Sequence, residues 1–208
     1  MLISCIQTKL RFPYAHFDAN LDDMDRRMHC AQMDIDEGFE MMEQAGREGA
    51  HLMVTIEGFN GHIGYTDSRF MDHLEPLDGP LVARFSKVAR KYGSYIVAGL
   101  FTQRNGKAYN SGVLFGPDGD IKGIYDKVHQ PMNHNQIFVS GDSYPVFETE
   151  HGRIGILICW DMQYPEAVRE MTLAGAQLIA VPTMGWEAMY GYARAFENSM
   201  PLAVAMYI

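Results

Sequence analysis

Apolar positions change their period several times along the chain. Leu21, Met24, Met28, Ala31, Ile35, Phe39, Met42 and Ala45 recur at spacings of three and four, the repeat of one helix face. Asn20 can cap that helix, and Gly46 or Gly49 can end it. A second helix is predicted behind Gly79-Pro80, with Leu81, Phe85, Val88, Ala89 and Tyr92 on its inner face. Two more are predicted from Pro165 to about Ala174 and near Tyr190–Asn198. Between the helices lie short apolar runs: Ser4–Thr8, His51–Gly58, Ser94–Thr102, Arg153–Cys159, Leu178–Thr183 and Leu202–Ile208. Runs so uniformly apolar read as strands covered on both faces. The segment from Ala108 to Lys127 reads as a hairpin around Pro117-Asp118-Gly119. The alternation predicts one α/β domain over residues 1–208, without repeats or linkers. The last run is the odd one, because a terminal strand needs a neighbour and no strand follows it.

Length and composition narrow the classes. At 208 residues, 47% hydrophobic and 21% charged, the chain is that of a soluble globular domain with a real core. The net charge of −9, with scattered acids, argues against nucleic acid or an anionic membrane surface as partner. No run reaches the ~18 apolar residues of a membrane span, and the N-terminus lacks the pattern of a signal peptide. Three cysteines, Cys5, Cys30 and Cys159, do not make a disulfide framework, so a cytoplasmic setting is expected. The fifteen methionines fall largely at core spacing in the first helix and read as packing.

Candidate chemistry sits where strands run out. Cys159 ends the run RIGILIC and is followed at once by WDMQYPE, so a strand delivers a thiol to a sharp turn before Pro165 opens a helix. Glu57 ends LMVTIE, and Lys127 ends IKGIYDK. In α/β folds catalytic groups collect at such ends. A desolvated Glu57 suits a general base. Lys127, kept charged by a carboxylate, would stabilise a thiolate and an oxyanion. Taken singly, each residue has an ordinary explanation: a buried cysteine, a surface glutamate, a lysine paired with Asp126 or Asp120. Other pairings are weaker. His129 and His134, near Asp126 and Asp142, lack the accompanying ligands of a known metal motif. A Cys159–His129 couple is a rival base arrangement, but Lys127 on the same loop is a poor neighbour for an imidazolium. Arg194 and Glu197 read as a structural ion pair.

Three segments together are more specific. TIEGF around Glu57, YDKVHQP around Lys127 and LICWDMQYPE around Cys159 resemble, in order and separation, the catalytic segments of the nitrilase superfamily of carbon–nitrogen hydrolases. PLVARFSKVARKYGSYIVAGL and RAFENSMPLAVA resemble its other landmarks. The resemblance implies a four-layer αββα sandwich, homodimeric or a higher homo-oligomer, acting on a small-molecule amide or carbamoyl compound with no metal or cofactor. It implies that Glu57 is the general base, Lys127 the oxyanion stabiliser and Cys159 the nucleophile. The backbone N–H of Trp160 would complete the oxyanion hole. Trp160, Tyr164, Met184, Trp186 and Tyr190 fall near this constellation; Tyr164, Met184 and Trp186 are the candidate substrate contacts, with subunit packing as the competing explanation.

Two departures stand out. Many members carry a second glutamate between the lysine and the cysteine. Here no Glu occurs between Lys127 and Phe147, and the matching place falls on His134 or Asn135, so His134 is the candidate substitute. Members also generally continue beyond the segment matching RAFENSMPLAVA, so the resemblance implies a fragment or a short version lacking its C-terminal strands. The functions left open are hydrolysis of a non-peptide C–N bond (amide or N-carbamoyl before nitrile), a catalytically impaired binding or regulatory subunit, and acyl transfer to an amine.

Overall fold

The computed structural model describes residues 1–9, 11, 24–61, 70–131, 137–185 and 188–208. In chain order the described elements are β1 (Ile3–Ile6), α1 (Met24–Arg47), β2 (Leu52–Thr55), β3 (Glu75–Pro76), α2 (Pro80–Tyr92), β4 (Tyr95–Arg104), β5 (Lys107–Phe115) and β6 (Ile121–Asp126). They continue with β7 (Val146–Thr149), β8 (Gly152–Ile156), α3 (Pro165–Leu173), β9 (Leu178–Pro182), α4 (Ala188–Asn198) and β10 (Leu202–Ala205). The expected cap Asn20 and the inner-face residue Leu21 lie outside the described residues.

Helix ends follow the glycines. α1 runs through Gly46 and stops before Gly49, whose φ of 81° is the left-handed value a terminating residue needs. α2 begins on Pro80 behind Gly79 and ends at Gly93. The strands form two sheets. One has the order β1-β2-β4-β5-β6, with β3 beside the far end of β4; the other has the order β10-β9-β8-β7. In the first sheet β1, β2 and β4 are parallel and β4, β5 and β6 antiparallel. The last apolar run finds its neighbour in β9, to which β10 is parallel, and not in a later strand. Beyond β10, the Ile208 N–H donates to the Thr8 carbonyl at 3.1 Å, joining that end of the second sheet to the start of the first.

Two apolar clusters set the layers. Leu52, Val54, Val97 and Leu114 of the first sheet pack against Ile154, Ile156, Leu178 and Ala180 of the second. Ala167, Val168 and Met171 on α3 belong to the same cluster and cover the outer face of the second sheet. On the other side, Met53, Ile96, Ala98, Leu100 and Val113 meet Phe39, Met42 and Ala45 of α1 and Val82, Phe85 and Ala89 of α2. The architecture is therefore helix, sheet, sheet, helix, a four-layer αββα sandwich as expected. The apolar strands at its centre are buried on both faces, whereas the edge strands β6 and β7 are only half covered. None of the helices, among the described residues, is long and apolar enough to cross a membrane.

The sequence reading missed three features. Asn105 and Gly106, with φ of 52° and 71°, make the tight turn joining β4 to β5. The mixed segment Val146–Thr149 forms an outer hairpin strand with β8. β3 has only two residues, too few for any periodicity to show.

One glycine in β4 brings the layers and a candidate residue together. A Cβ on Gly99 would stand 2.4 Å from the Ile56 carbonyl oxygen, 2.8 Å from Pro182 Cβ and 3.0 Å from Glu57 Cα. Two of those neighbours are backbone and cannot give way. Gly99→Ala is expected to lower stability by about 1–3 kcal/mol through overpacking, measured by urea unfolding; an unchanged midpoint would mean the backbone just beyond β2 moves freely there.

Candidate active site

Glu57 stands two residues beyond β2, where the chain leaves the first sheet. Its backbone N–H donates to the Thr183 carbonyl at 3.4 Å and Phe59 N–H donates to Gly99 O at 2.8 Å, so the segment is pinned to both sheets. Lys127 directly follows β6. Its N–H donates to Asn110 O at 2.8 Å, while its own carbonyl accepts from Gly141 N–H at 3.0 Å and Gln130 Nε2 at 2.9 Å. These bonds fix the two chain exits side by side. Lys127 Nζ then lies 2.7 Å from Glu57 Oε1, with the lysine and glutamate side chains 1% and 3% exposed. Asn110, in the middle of β5, donates through Nδ2 to the same oxygen at 2.7 Å.

Cys159 enters from the second sheet. Past β8 the chain stays buried through Leu157 and Ile158, then bends sharply, with Cys159 at φ 46°. Left-handed backbone is costly for a residue with a Cβ and is held only where its surroundings demand it. A 3-10 turn, Cys159–Gln163, follows and leads into α3. The thiol hydrogen-bonds with the Thr183 side chain and the Met184 backbone. Burial and the neighbouring Glu57 carboxylate push the Cys159 pKa up, more than Lys127 and those hydrogen bonds pull it down. For Lys127, burial works to lower the pKa, but Glu57, Cys159 and Asp161 outweigh it and raise it. The resting arrangement is a neutral thiol beside a buried ammonium–carboxylate pair.

A second polar cluster lies behind the turn. The carboxylate of Asp161 is fully buried. It accepts from Ile158 N–H at 3.0 Å, Tyr125 Oη at 2.7 Å, His129 N–H at 2.8 Å and His129 Nδ1 at 3.1 Å. Burial, then the Asp161 charge, push the Tyr125 phenol well above its ordinary pKa, so it remains a donor. The His129 ring stacks on Tyr164 at 3.7 Å between centroids and 8° between planes.

Of the residues singled out in the sequence, the structure gathers Glu57, Lys127 and Cys159 from three strand ends. Trp160 follows Cys159 inside the turn, half-buried. Tyr164 is partly exposed and lies on His129, and half-buried Met184 is in contact with the cysteine through its backbone. His134 and Trp186 lie outside the described residues. Among the described residues the charged groups acting on the thiol are Glu57 and Lys127, whereas His129 is held by Asp161. Asp126 pairs with Arg104 and accepts from the Ser111 hydroxyl at 2.7 Å, which takes it away from Lys127. Arg194 and Glu197 pair at 2.6 Å, but Arg194 also donates to the carbonyls of Met162 and Gln163, at 3.2 and 3.1 Å, clasping the end of the cysteine turn. Sequence reasoning overlooked Asn110 and Asp161. The available signals were a polar residue in the interior of an apolar strand and a buried acid two places after the thiol.

Known proteins share this arrangement of sequence and fold. A family model described as carbon-nitrogen hydrolase matches residues 31–208. A probable nitrilase of Schizosaccharomyces pombe is 37% identical over 139 residues, 62% of this chain and 50% of its own length. An N-carbamoylputrescine amidase of Arabidopsis thaliana is 34% identical over 69% of this chain and 50% of its own length. An omega-amidase of Xenopus tropicalis is 29% identical over 80% of this chain and 66% of its own. The chain thus spans about half the length (50%) of the first two relatives. Among solved structures, a carbon-nitrogen hydrolase of Helicobacter pylori superposes with a TM-score of 0.73 at 27% identity, covering 86% of this chain and 69% of the other. An amidase of Nesterenkonia sp. AN1, solved with acrylamide added at its active-site cysteine, gives 0.73 at 27% identity, covering 85% and 73%.

The buried pair carries an energetic signature. Removing one charge strands the other without water, which costs about 3–5 kcal/mol, whereas replacing both with apolar groups is close to neutral. Glu57→Gln is therefore expected to destabilise the protein by about that amount in urea unfolding, and Glu57→Gln with Lys127→Met to recover most of it. Additive losses in the double variant would contradict the pairing.

Proposed function

This chain belongs to the carbon–nitrogen hydrolase family, and from that premise we propose that it hydrolyses non-peptide C–N bonds of small molecules through a thioester on Cys159. Amides and N-carbamoyl compounds are the favoured substrates and nitriles the less favoured. The relatives named omega-amidase and N-carbamoylputrescine amidase support that order. The observation that carries the reading is the convergence on one thiol of a buried Glu57–Lys127 pair, 2.7 Å apart, and a left-handed turn that holds Cys159 against Thr183 and Met184.

In the proposed reaction Glu57 takes the Cys159 proton as sulfur attacks the carbonyl carbon, so the thiolate exists only when a substrate is there to receive it. The raised pKa of the thiol supports such a coupled step over a standing thiolate. Charge then moves to the carbonyl oxygen, where the Lys127 ammonium and the Trp160 backbone N–H stabilise it. Glu57 returns its proton to the leaving nitrogen, and ammonia or an amine departs. A water molecule, deprotonated by Glu57, attacks the thioester carbon; the acid leaves and the proton goes back to sulfur. No metal is needed, because the lysine supplies the positive charge. The same reading has a homodimer or higher homo-oligomer in a reducing cytoplasm. Leu173, Met189, Tyr192 and Phe196, all exposed on α3 and α4, and three cysteines free of disulfides support it.

Ammonia release from a panel of short amides, N-carbamoyl amino acids and simple nitriles tests the reaction. The wild type is expected to release ammonia from members of the first two classes, and Cys159→Ala to lose at least a thousandfold in rate. Release that survives in Cys159→Ala, or none from folded wild-type protein, would contradict the proposal; the second result is what an impaired binding subunit predicts.

A further inference from the structure

Cys159 adopts a backbone conformation that disfavours any residue but glycine, so something must hold it there. The Asp161 N–H closes the turn on the Ile158 carbonyl at 3.0 Å, a bond that any residue at this position can make. The side chain is the distinctive part. Its two oxygens meet four donors, which fills the acceptor capacity of a carboxylate. Those donors come from two separate places. Ile158 N–H belongs to the strand exit that carries Cys159. Tyr125 Oη and both nitrogens of His129 belong to residues on either side of Lys127. A carboxylate that only stabilised the turn would need donors from the turn alone.

We propose that Asp161 is a positioning residue that locks the nucleophile turn of the second sheet to the lysine exit of the first, setting the sulfur of Cys159 against Lys127 and Glu57. This assignment rests on the reading of Cys159 as nucleophile. One oxygen bridges the join and the other anchors the carboxylate on one side of it. Oδ2 takes Ile158 N–H from the cysteine turn and the Tyr125 phenol from the lysine exit, and Oδ1 takes the His129 N–H and ring from the lysine exit, so the turn is tied to that exit through a single carboxylate. An asparagine in this place keeps one acceptor oxygen and turns an NH2 group towards two buried donors, opening one side of the lock. Asp161 is also among the negative charges that keep Lys127 protonated. The far end of the turn is secured independently by Arg194, so loss of the Asp161 carboxylate displaces the cysteine end selectively.

The test needs no turnover. Alkylation of Cys159 by iodoacetamide is followed by peptide mass spectrometry between pH 6 and pH 10, with free glutathione as the reference thiol and circular dichroism as the check on folding. In folded Asp161→Asn the Cys159 rate, corrected for its protonation, is expected to fall at least tenfold. A lower thermal midpoint with an unchanged corrected Cys159 rate would make Asp161 a purely structural residue and overturn the inference while leaving the proposed reaction intact. A wild-type Cys159 that reacts no faster than glutathione, corrected for its protonation, would overturn the nucleophile reading and the inference with it. If Asp161→Asn does not fold, Tyr125→Phe removes one of the four bonds and keeps the volume. It is expected to slow alkylation about threefold in the same direction, and an unchanged rate would overturn the inference.

Discussion

A lysine ammonium and a glutamate carboxylate, 2.7 Å apart and almost wholly withdrawn from water, are the constraint around which the site is arranged. Each charge alone would be too costly to bury; together, with an asparagine amide on the shared oxygen, they are tolerated. The pair is held by backbone bonds at two strand exits, so its geometry is set before any substrate arrives. Beside it the cysteine stays neutral, because a second negative charge next to Glu57 in a dry site is disfavoured. The proposed chemistry follows from that order: the proton leaves sulfur only as charge develops elsewhere.

The sandwich explains why three residues far apart in sequence meet. Glu57 and Lys127 leave the first sheet, Cys159 leaves the second, and the two sheets face each other closely enough for the exits to touch. That approach depends on small residues at the crossing. Gly99 passes against the Ile56–Glu57 backbone, and Gly112 leaves room for the Ile156 side chain, whose Cγ2 would sit 2.5 Å from an added Cβ. The apolar layer between the sheets therefore both stabilises the fold and sets the depth at which the polar groups are buried. Asp161 then ties the two exits directly to one another.

Much of this was legible in the sequence because burial writes long apolar runs. His51–Gly58, Ser94–Thr102 and Leu178–Thr183 could be read as strands for that reason, and Glu57, Lys127 and Cys159 stood out as polar groups placed where such runs end. The outer strand Val146–Thr149 was not legible, since a half-covered edge carries a mixed pattern. The Asn105-Gly106 turn was legible and overlooked. Asn110 and Asp161 are a different case. Asn110 meets Glu57 across 53 positions and Asp161 meets Tyr125 across 36, so their roles depend on sheet order and register, which no local pattern encodes.

The most direct test of the central claim is intact-protein mass spectrometry of samples quenched in acid within the first turnovers on a short amide. The account predicts a mass increase equal to the acyl group, located on the peptide carrying Cys159, that decays as water completes the cycle. Hydrolysis with no such adduct, or an adduct on Cys5 or Cys30 in its place, would contradict it.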